Sequence, residues 1–214
     1  MAETPESLNI GRAIDAILDD DRTSHLVDIY FEGGKFAGVD FDTLAPSDPD
    51  RFEPADLLAV NLLDVRMGPR GIRDLLSGRF DPLVAVVDQD VDLWDERAAE
   101  GTDLRRHMNE LYFAIRGVDG VGPTTASKLL ARKRPRLLPI RDSVIDEQLD
   151  VGTSFWSPLA DALRVVTRRH RIERLAPGVE VSTLRRLDVA VWMTGSRSRN
   201  AKSARLEAAK RAAS

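Results

Sequence analysis

Residues 115–130 read IRGVDGVGPTTASKLL, a stretch that predicts two helices joined by a short glycine-rich hairpin. Apolar residues recur at helical spacing on both sides of the glycines. Gly120 and Gly122 permit a positive φ and carry no side chain. Pro123 suits the first turn of a helix, because the N–H that it lacks has no partner there. The second helix is therefore predicted to begin at this proline.

The start of that second helix is a candidate anion site. Exposed N–H groups around the glycines and threonines add to the positive end of the helix dipole. The predicted phosphate contacts are the hairpin residues and the cations after them, namely Gly120, Val121, Gly122, Thr124, Thr125, Lys128, Arg132, Lys133 and Arg134. A tight turn that joins two packed helices and binds no ligand is the alternative.

Charge is unevenly distributed along the chain. Residues 1–110 contain 11 basic and 25 acidic residues, whereas residues 111–214 contain 20 basic and 10 acidic ones. Clustered Lys and Arg gain affinity for polyanions by releasing counterions, although two oppositely charged lobes could simply attract each other. We predict an acidic lobe at 1–110, a basic lobe with the hairpin at 111–195 and a basic tail at 196–214, with the lobes forming one compact unit.

Helical periodicity dominates the remainder, so the predicted fold class is all-α, a helical bundle of two packed lobes. The predicted helices include residues 7–20, 56–66, 96–115, 156–169 and 182–193. Helix 56–66 is apolar almost all round and is expected to be a central core helix. The tail after residue 195 favours a helix but is expected to fray.

Several functional classes are excluded by composition. The absence of cysteine excludes disulfides, a cysteine nucleophile, thiolate zinc sites and cysteine-bound iron–sulfur clusters. Three scattered histidines form no metal pair, and we expect neither a metal nor a cofactor. No apolar run approaches the roughly 20 residues that span a bilayer. The amino terminus is acidic, whereas a signal peptide begins with basic residues, so we expect a cytoplasmic protein without a membrane partner.

Residues 120–126, GVGPTTA, resemble the hairpin of the helix-hairpin-helix DNA glycosylases. Residues 137–144, LLPIRDSV, are similar to the passage of that family into its catalytic aspartate, which matches Asp142. The resemblance implies a DNA-glycosylase-like bundle that binds duplex DNA and removes a damaged or modified base. It implies that Asp142 stabilises the cationic sugar and orients the attacking water. A monovalent cation at the hairpin is a further candidate partner.

Some positions depart from that family. Thr124 stands where lyase-competent members carry lysine, so the resemblance implies base removal without strand cleavage. Arg141 stands where relatives carry an aliphatic or aromatic residue. Arg141 and Trp156 are candidate base-pocket residues, Trp156 by stacking, although a core role for Trp156 is the alternative. Asp142 has a second role open to it, as the N-cap of the next helix.

Most of the chain also resembles an uncharacterised family of GC-rich, actinobacterial-type bacteria, through residues 127–144, Trp156 and residues 184–193. This likeness carries no function. Three functions therefore remain open: a monofunctional DNA glycosylase, a noncatalytic helix-hairpin-helix DNA-binding protein and a helical protein-interaction module.

Overall fold

The computed structural model describes residues 4–214, which contain α-helices, two short 3-10 helices and no strand. The prediction of an all-α fold is confirmed. Within residues 4–214, no helix is both long enough and apolar enough to cross a membrane. The twelve α-helices of this range are α1 Pro5–Asp19, α2 Arg22–Phe31, α3 Pro54–Asn61, α4 Pro69–Leu75, α5 Asp81–Ala85, α6 Asp103–Arg116, α7 Pro123–Lys133, α8 Ser143–Gln148, α9 Trp156–Arg164, α10 Val166–Glu173, α11 Thr183–Gly195 and α12 Arg199–Ala212.

The chain divides into two compact units. The central unit is Asp40–Arg141, and the terminal unit combines the described part of Met1–Val39 with Asp142–Ser214. This division differs from the boundary that we predicted after residue 110, because α6 runs across that position and packs against α7. The central unit holds 15 basic and 18 acidic residues, and the described part of the terminal unit holds 16 of each. The charge asymmetry along the chain therefore produces no basic lobe.

In the terminal unit, helices from the two ends of the chain pack together. Helix α1 packs against α9, α2 against α11 and α12, and α8 against α11. The Thr4 side chain caps α1 by accepting the Ser7 amide at 3.2 Å. Ile10, Ile14 and Ile17 of α1 are buried, as their helical spacing predicts. This core joins segments that are distant in sequence.

Helix α12 corrects the expectation of a frayed tail. Ala201, Ala204 and Ala208 are buried at intervals of three and four residues, on the side of α12 that packs against α2. Arg211 adds an ion pair to Glu32 of α2. The tail is a docked helix because its small alanines allow a close approach.

The core of the central unit surrounds α6 and α7. Met108, Leu111 and Ile115 of α6 are fully buried, as are Leu129 and Leu130 of α7. Helix α7 packs against both α6 and α3. The apolar periodicity on either side of the glycine-rich hairpin therefore corresponds to a packed pair of helices.

Three predicted helices have different limits in the structure. Helix α3 ends at Asn61 in tight i→i+3 turns, and Leu58 is 60% exposed, so α3 is not the all-round core helix that we expected. The predicted helix 96–115 is interrupted before Thr102, whose side chain caps α6. The predicted helix 156–169 is divided at Val165, which has an extended conformation.

Candidate functional site

The connection between α6 and α7 is a tight turn anchored by two valines. Val118 and Val121 are buried, and the Val121 amide donates to the Val118 carbonyl at 3.0 Å. Gly120, the third residue of this turn, has a φ of 75°, a conformation that favours glycine. Val121 was predicted to contact a phosphate. Its side chain and amide face the protein instead, because they hold the turn in place.

The first turn of α7 is open to the outside. Gly122 is the N-cap, and it has no side chain that could accept the amides of that turn. Across residues 4–214, nothing accepts a hydrogen bond from the amides of Thr124 or Thr125. Exposed Pro123 precedes both threonines and has no amide hydrogen. Two neighbouring N–H groups therefore remain available at the positive end of the α7 dipole.

Gly122 is not required by the fold. Its φ of −82° and ψ of 179° suit any residue, so the positive φ that glycine permits is not used at this position. A Cβ atom added there would meet no heavy atom within 4 Å. A side chain at position 122 would thus extend into open space beside the free amides of α7.

Helix α4 lies directly against the hairpin through Gly71. A Cβ atom added to Gly71 would lie 2.5 Å from the Asp119 carbonyl oxygen and 3.5 Å from Cγ1 of Val118. The first distance is far shorter than a van der Waals contact. Only glycine at position 71 therefore allows α4 and the hairpin to approach this closely.

The four predicted phosphate-binding cations, three in α7 and Arg134 directly after it, point inward. Lys128, which is 9% exposed, donates to the Leu63 carbonyl at 2.8 Å. Arg132, Lys133 and Arg134 contact the irregular segment of residues 41–50. The expectation that these side chains extend an outer positive surface is therefore wrong.

These cations turn inward because the segment of residues 41–50 lacks regular backbone hydrogen bonds. Its carbonyl groups need donors where they are buried. Arg132 donates to the carbonyls of Phe41 and Ala45 at 3.0 and 2.6 Å, and Lys133 donates to that of Asp48 at 2.7 Å. The end of α7 thereby fastens this segment to the central unit.

A buried ion pair and buried hydrogen bonds to carbonyl groups complete this arrangement. Lys133 pairs with Asp56 of α3 at 2.5 Å, and the two side chains are 1% and 0% exposed. Arg134 donates to the carbonyls of Pro49 and Val84 at 2.7 and 2.6 Å. Burial lowers the pKa of the Arg134 guanidinium, against the opposing effect of Asp50. These cations are structural in this fold.

Helix α7 also holds the backbone that leads to Asp142. The Ser127 hydroxyl donates to the Arg141 carbonyl, and the Arg141 amide donates back to the Ser127 oxygen, both at 3.0 Å. Ser127 lies three residues after Thr124, so the chain just before Asp142 is fixed to the first turns of the hairpin's second helix. The predicted base-pocket residue Arg141 is half-exposed.

Asp142 is the N-cap of α8. Its Oδ1 atom accepts the amides of Val144 and Ile145, both at 3.0 Å. The cap role that the sequence left open is therefore confirmed. The carboxylate is half-exposed, and no residue in the described range donates to its Oδ2 atom.

Trp156, the other predicted pocket residue, is half-buried and begins α9 in the terminal unit, to which Asp142 also belongs. The hairpin belongs to the central unit. Gly71 and Ser127 were not among the predicted site residues. A glycine within a helical segment, Gly71 in α4, was the available signal for a close backbone approach.

Residues 23–195 match the model of a family of unknown function, DUF6308. The chain belongs to this family. No curated protein and no solved structure matches it.

The family match contains α4, the hairpin, Asp142 and Trp156. Helices α1 and α12 lie outside the matched residues.

Proposed function

We propose that the α6–α7 hairpin binds the phosphate backbone of duplex DNA. The main support for this proposal is the open first turn of α7, where the amides of Thr124 and Thr125 have no acceptor in residues 4–214. A phosphate oxygen accepts hydrogen bonds from such amides and is attracted by the helix dipole. Gly122 supports this role because the fold does not need glycine there, whereas a closely approaching ligand does.

This contact is non-specific in sequence, because phosphates are the same at every base pair. It predicts that affinity falls as salt concentration rises, through the release of counterions from the DNA. A protein-interaction module, the alternative, would have no affinity for a labelled duplex.

Gly122→Glu is expected to weaken binding of a fluorescent DNA duplex by roughly tenfold or more, because it removes a charge-assisted contact and adds a carboxylate. Fluorescence anisotropy over a salt series measures this change. Gly178→Glu is the matched control, since position 178 is also open and also tolerates a side chain. Equal affinities of the two variants would contradict the hairpin contact, and a wild-type protein without affinity would refute DNA binding.

We further propose base removal, without strand cleavage, as a second function. The supporting observation is that Asp142 uses only Oδ1 as a cap, which leaves Oδ2 for a substrate. A carboxylate there would stabilise positive charge that develops on the deoxyribose when the glycosidic bond breaks. The target nucleotide would have to be flipped out of the duplex. Thr124 offers no amine for a Schiff base.

Asp142→Asn separates catalysis from capping. Asparagine is as good an N-cap as aspartate, so the free energy of unfolding should change by less than about 0.5 kcal/mol. Base release should fall by roughly 100-fold or more, with DNA affinity retained. The assay uses duplexes that each carry a single uracil, hypoxanthine or methylated base, and reveals abasic sites with alkali.

Asp142→Ala is the companion variant, and loss of its cap should cost about 1 kcal/mol. If the wild type binds DNA but releases no base and has no preference for an abasic-site analogue, the noncatalytic DNA-binding function is favoured.

A further inference from the structure

Four arginines of the central unit lack an acidic partner. Nine of its other cations form salt bridges, and Lys128 donates to a carbonyl. Within residues 40–141, all of which are described, the exposed arginines without a salt bridge or hydrogen bond are Arg66, Arg70, Arg73 and Arg116. Arg116 lies over the Tyr112 ring, 5.9 Å from its centroid, and among the described residues the other three have no side-chain partner. Because acidic residues outnumber basic ones in this unit, a shortage of carboxylates does not explain why these arginines lack an acidic partner.

These arginines lie next to the hairpin. Arg70 and Arg73 occur on either side of Gly71 in α4, the residue at which α4 contacts Asp119. Three residues apart in a helix, they share one face. Arg66 lies just before α4, and Arg116 is the last residue of α6, where the hairpin starts. The close contact at Gly71 thus brings helix α4 to the hairpin, with exposed Arg70 and Arg73 on a different face of α4 from Gly71.

The hairpin itself carries an exposed carboxylate, Asp119, that repels an approaching phosphate. Arginines that have no acidic partner offset this repulsion. We propose that Arg70 and Arg73, flanked by Arg66 and Arg116, form a second contact that binds the backbone of the same nucleic acid as the hairpin. This inference rests on the proposed DNA-binding function and adds residues that the hairpin resemblance does not include.

An exposed aromatic ring favours a nucleic acid over other polyanions. Phe113 is 64% exposed and lies on α6 three residues before Arg116, so the two share a helix face. Its ring contacts Tyr112 with centroids 5.5 Å apart. A base that is flipped out of the duplex can stack on such a ring, whereas a polyanion without bases cannot.

The test is the salt dependence of duplex binding by Arg70→Gln/Arg73→Gln, measured by anisotropy from about 50 to about 200 mM KCl. Each lost phosphate contact reduces the magnitude of the negative slope of log affinity against log salt by about 1. The slope of the double variant should therefore be smaller in magnitude than that of the wild type by about 2. Arg97→Gln/Arg136→Gln is the matched control. It removes two exposed cations from the same unit, but both are paired with carboxylates. The control should keep the wild-type slope.

The outcomes separate this inference from the proposed function. A wild-type slope in Arg70→Gln/Arg73→Gln, with weakened binding by Gly122→Glu, would overturn the α4 contact and leave the hairpin contact standing. A lower slope in the double variant with full affinity of Gly122→Glu would support α4 and contradict the hairpin. No binding by the wild type would overturn both. Unchanged circular dichroism is expected for the double variant, because its side chains are exposed.

Discussion

Asp56→Ala is expected to lower the free energy of unfolding by about 3–5 kcal/mol, because it leaves buried cations without their anion. Asp56 is fully buried and accepts from Lys133 at 2.5 Å, from the Ser47 hydroxyl at 2.8 Å and from the Glu53 amide at 2.9 Å. Arg132 lies 3.5 Å from the same carboxylate. Urea unfolding followed by circular dichroism measures the loss.

Asp92→Ala is the control for this prediction. Asp92 also pairs with an arginine of the central unit, Arg136, but these side chains are 25% and 48% exposed. An exposed pair contributes about 0–1 kcal/mol, so the control should unfold close to the wild type. Adding Lys133→Met to Asp56→Ala should restore part of the lost stability, since it removes one uncompensated charge. Similar losses for the two aspartate variants would contradict a special role of the buried network.

The same network explains why the cations at the end of α7 do not form the exposed basic surface that the sequence predicted. A run of Arg132, Lys133 and Arg134 at the end of a helix is typical of an exposed basic surface, and it suits the negative end of the helix dipole. These side chains turn inward because they donate hydrogen bonds to backbone carbonyl groups of residues 41–50, which lie about ninety positions earlier in the chain. Hydrogen bonds over such distances leave no local pattern.

Local signals were more informative. The glycines, the proline and the apolar spacing predicted two helices joined by a short turn, and the structure contains α6, α7 and a tight turn between them. These signals can be recognised in a sequence because they depend on backbone conformation and on neighbours within a few residues. The cap role of Asp142 followed from the same local chemistry. The division into units did not, because α1 and α2 pack with helices from the opposite end of the chain.

The arginines of α4 and its neighbours are a candidate surface that the sequence did not predict. In the sequence, Arg66, Arg70 and Arg73 lie in the acidic half, and no local pattern marks them as phosphate contacts. They become a candidate surface only because Gly71 brings α4 against Asp119, while the other arginines of the unit find acidic partners or carry contacts of their own. Charge along the chain was therefore a poor guide to charge in space.

Gly71→Ala tests the contact on which that surface depends, and it should lower the free energy of unfolding by about 1–2 kcal/mol. Alanine in a helix gains about 0.5–1 kcal/mol over glycine, whereas overpacking costs about 1–3 kcal/mol. The cost should prevail here, because the new Cβ would lie 2.5 Å from a backbone oxygen, which cannot escape by changing a rotamer. Thermal or urea unfolding measures the sign of the change.

The control is Gly178→Ala, since a Cβ at position 178 meets no atom within 4 Å and its φ is not in the left-handed region. This variant should be neutral or slightly stabilised by the reduced entropy of its unfolded chain. If α4 presents its arginines to DNA as proposed, Gly71→Ala should also weaken duplex binding under conditions where it is still folded, because α4 must move away from the hairpin. A Gly71→Ala protein as stable as the wild type would show that the contact between α4 and the hairpin relaxes without cost.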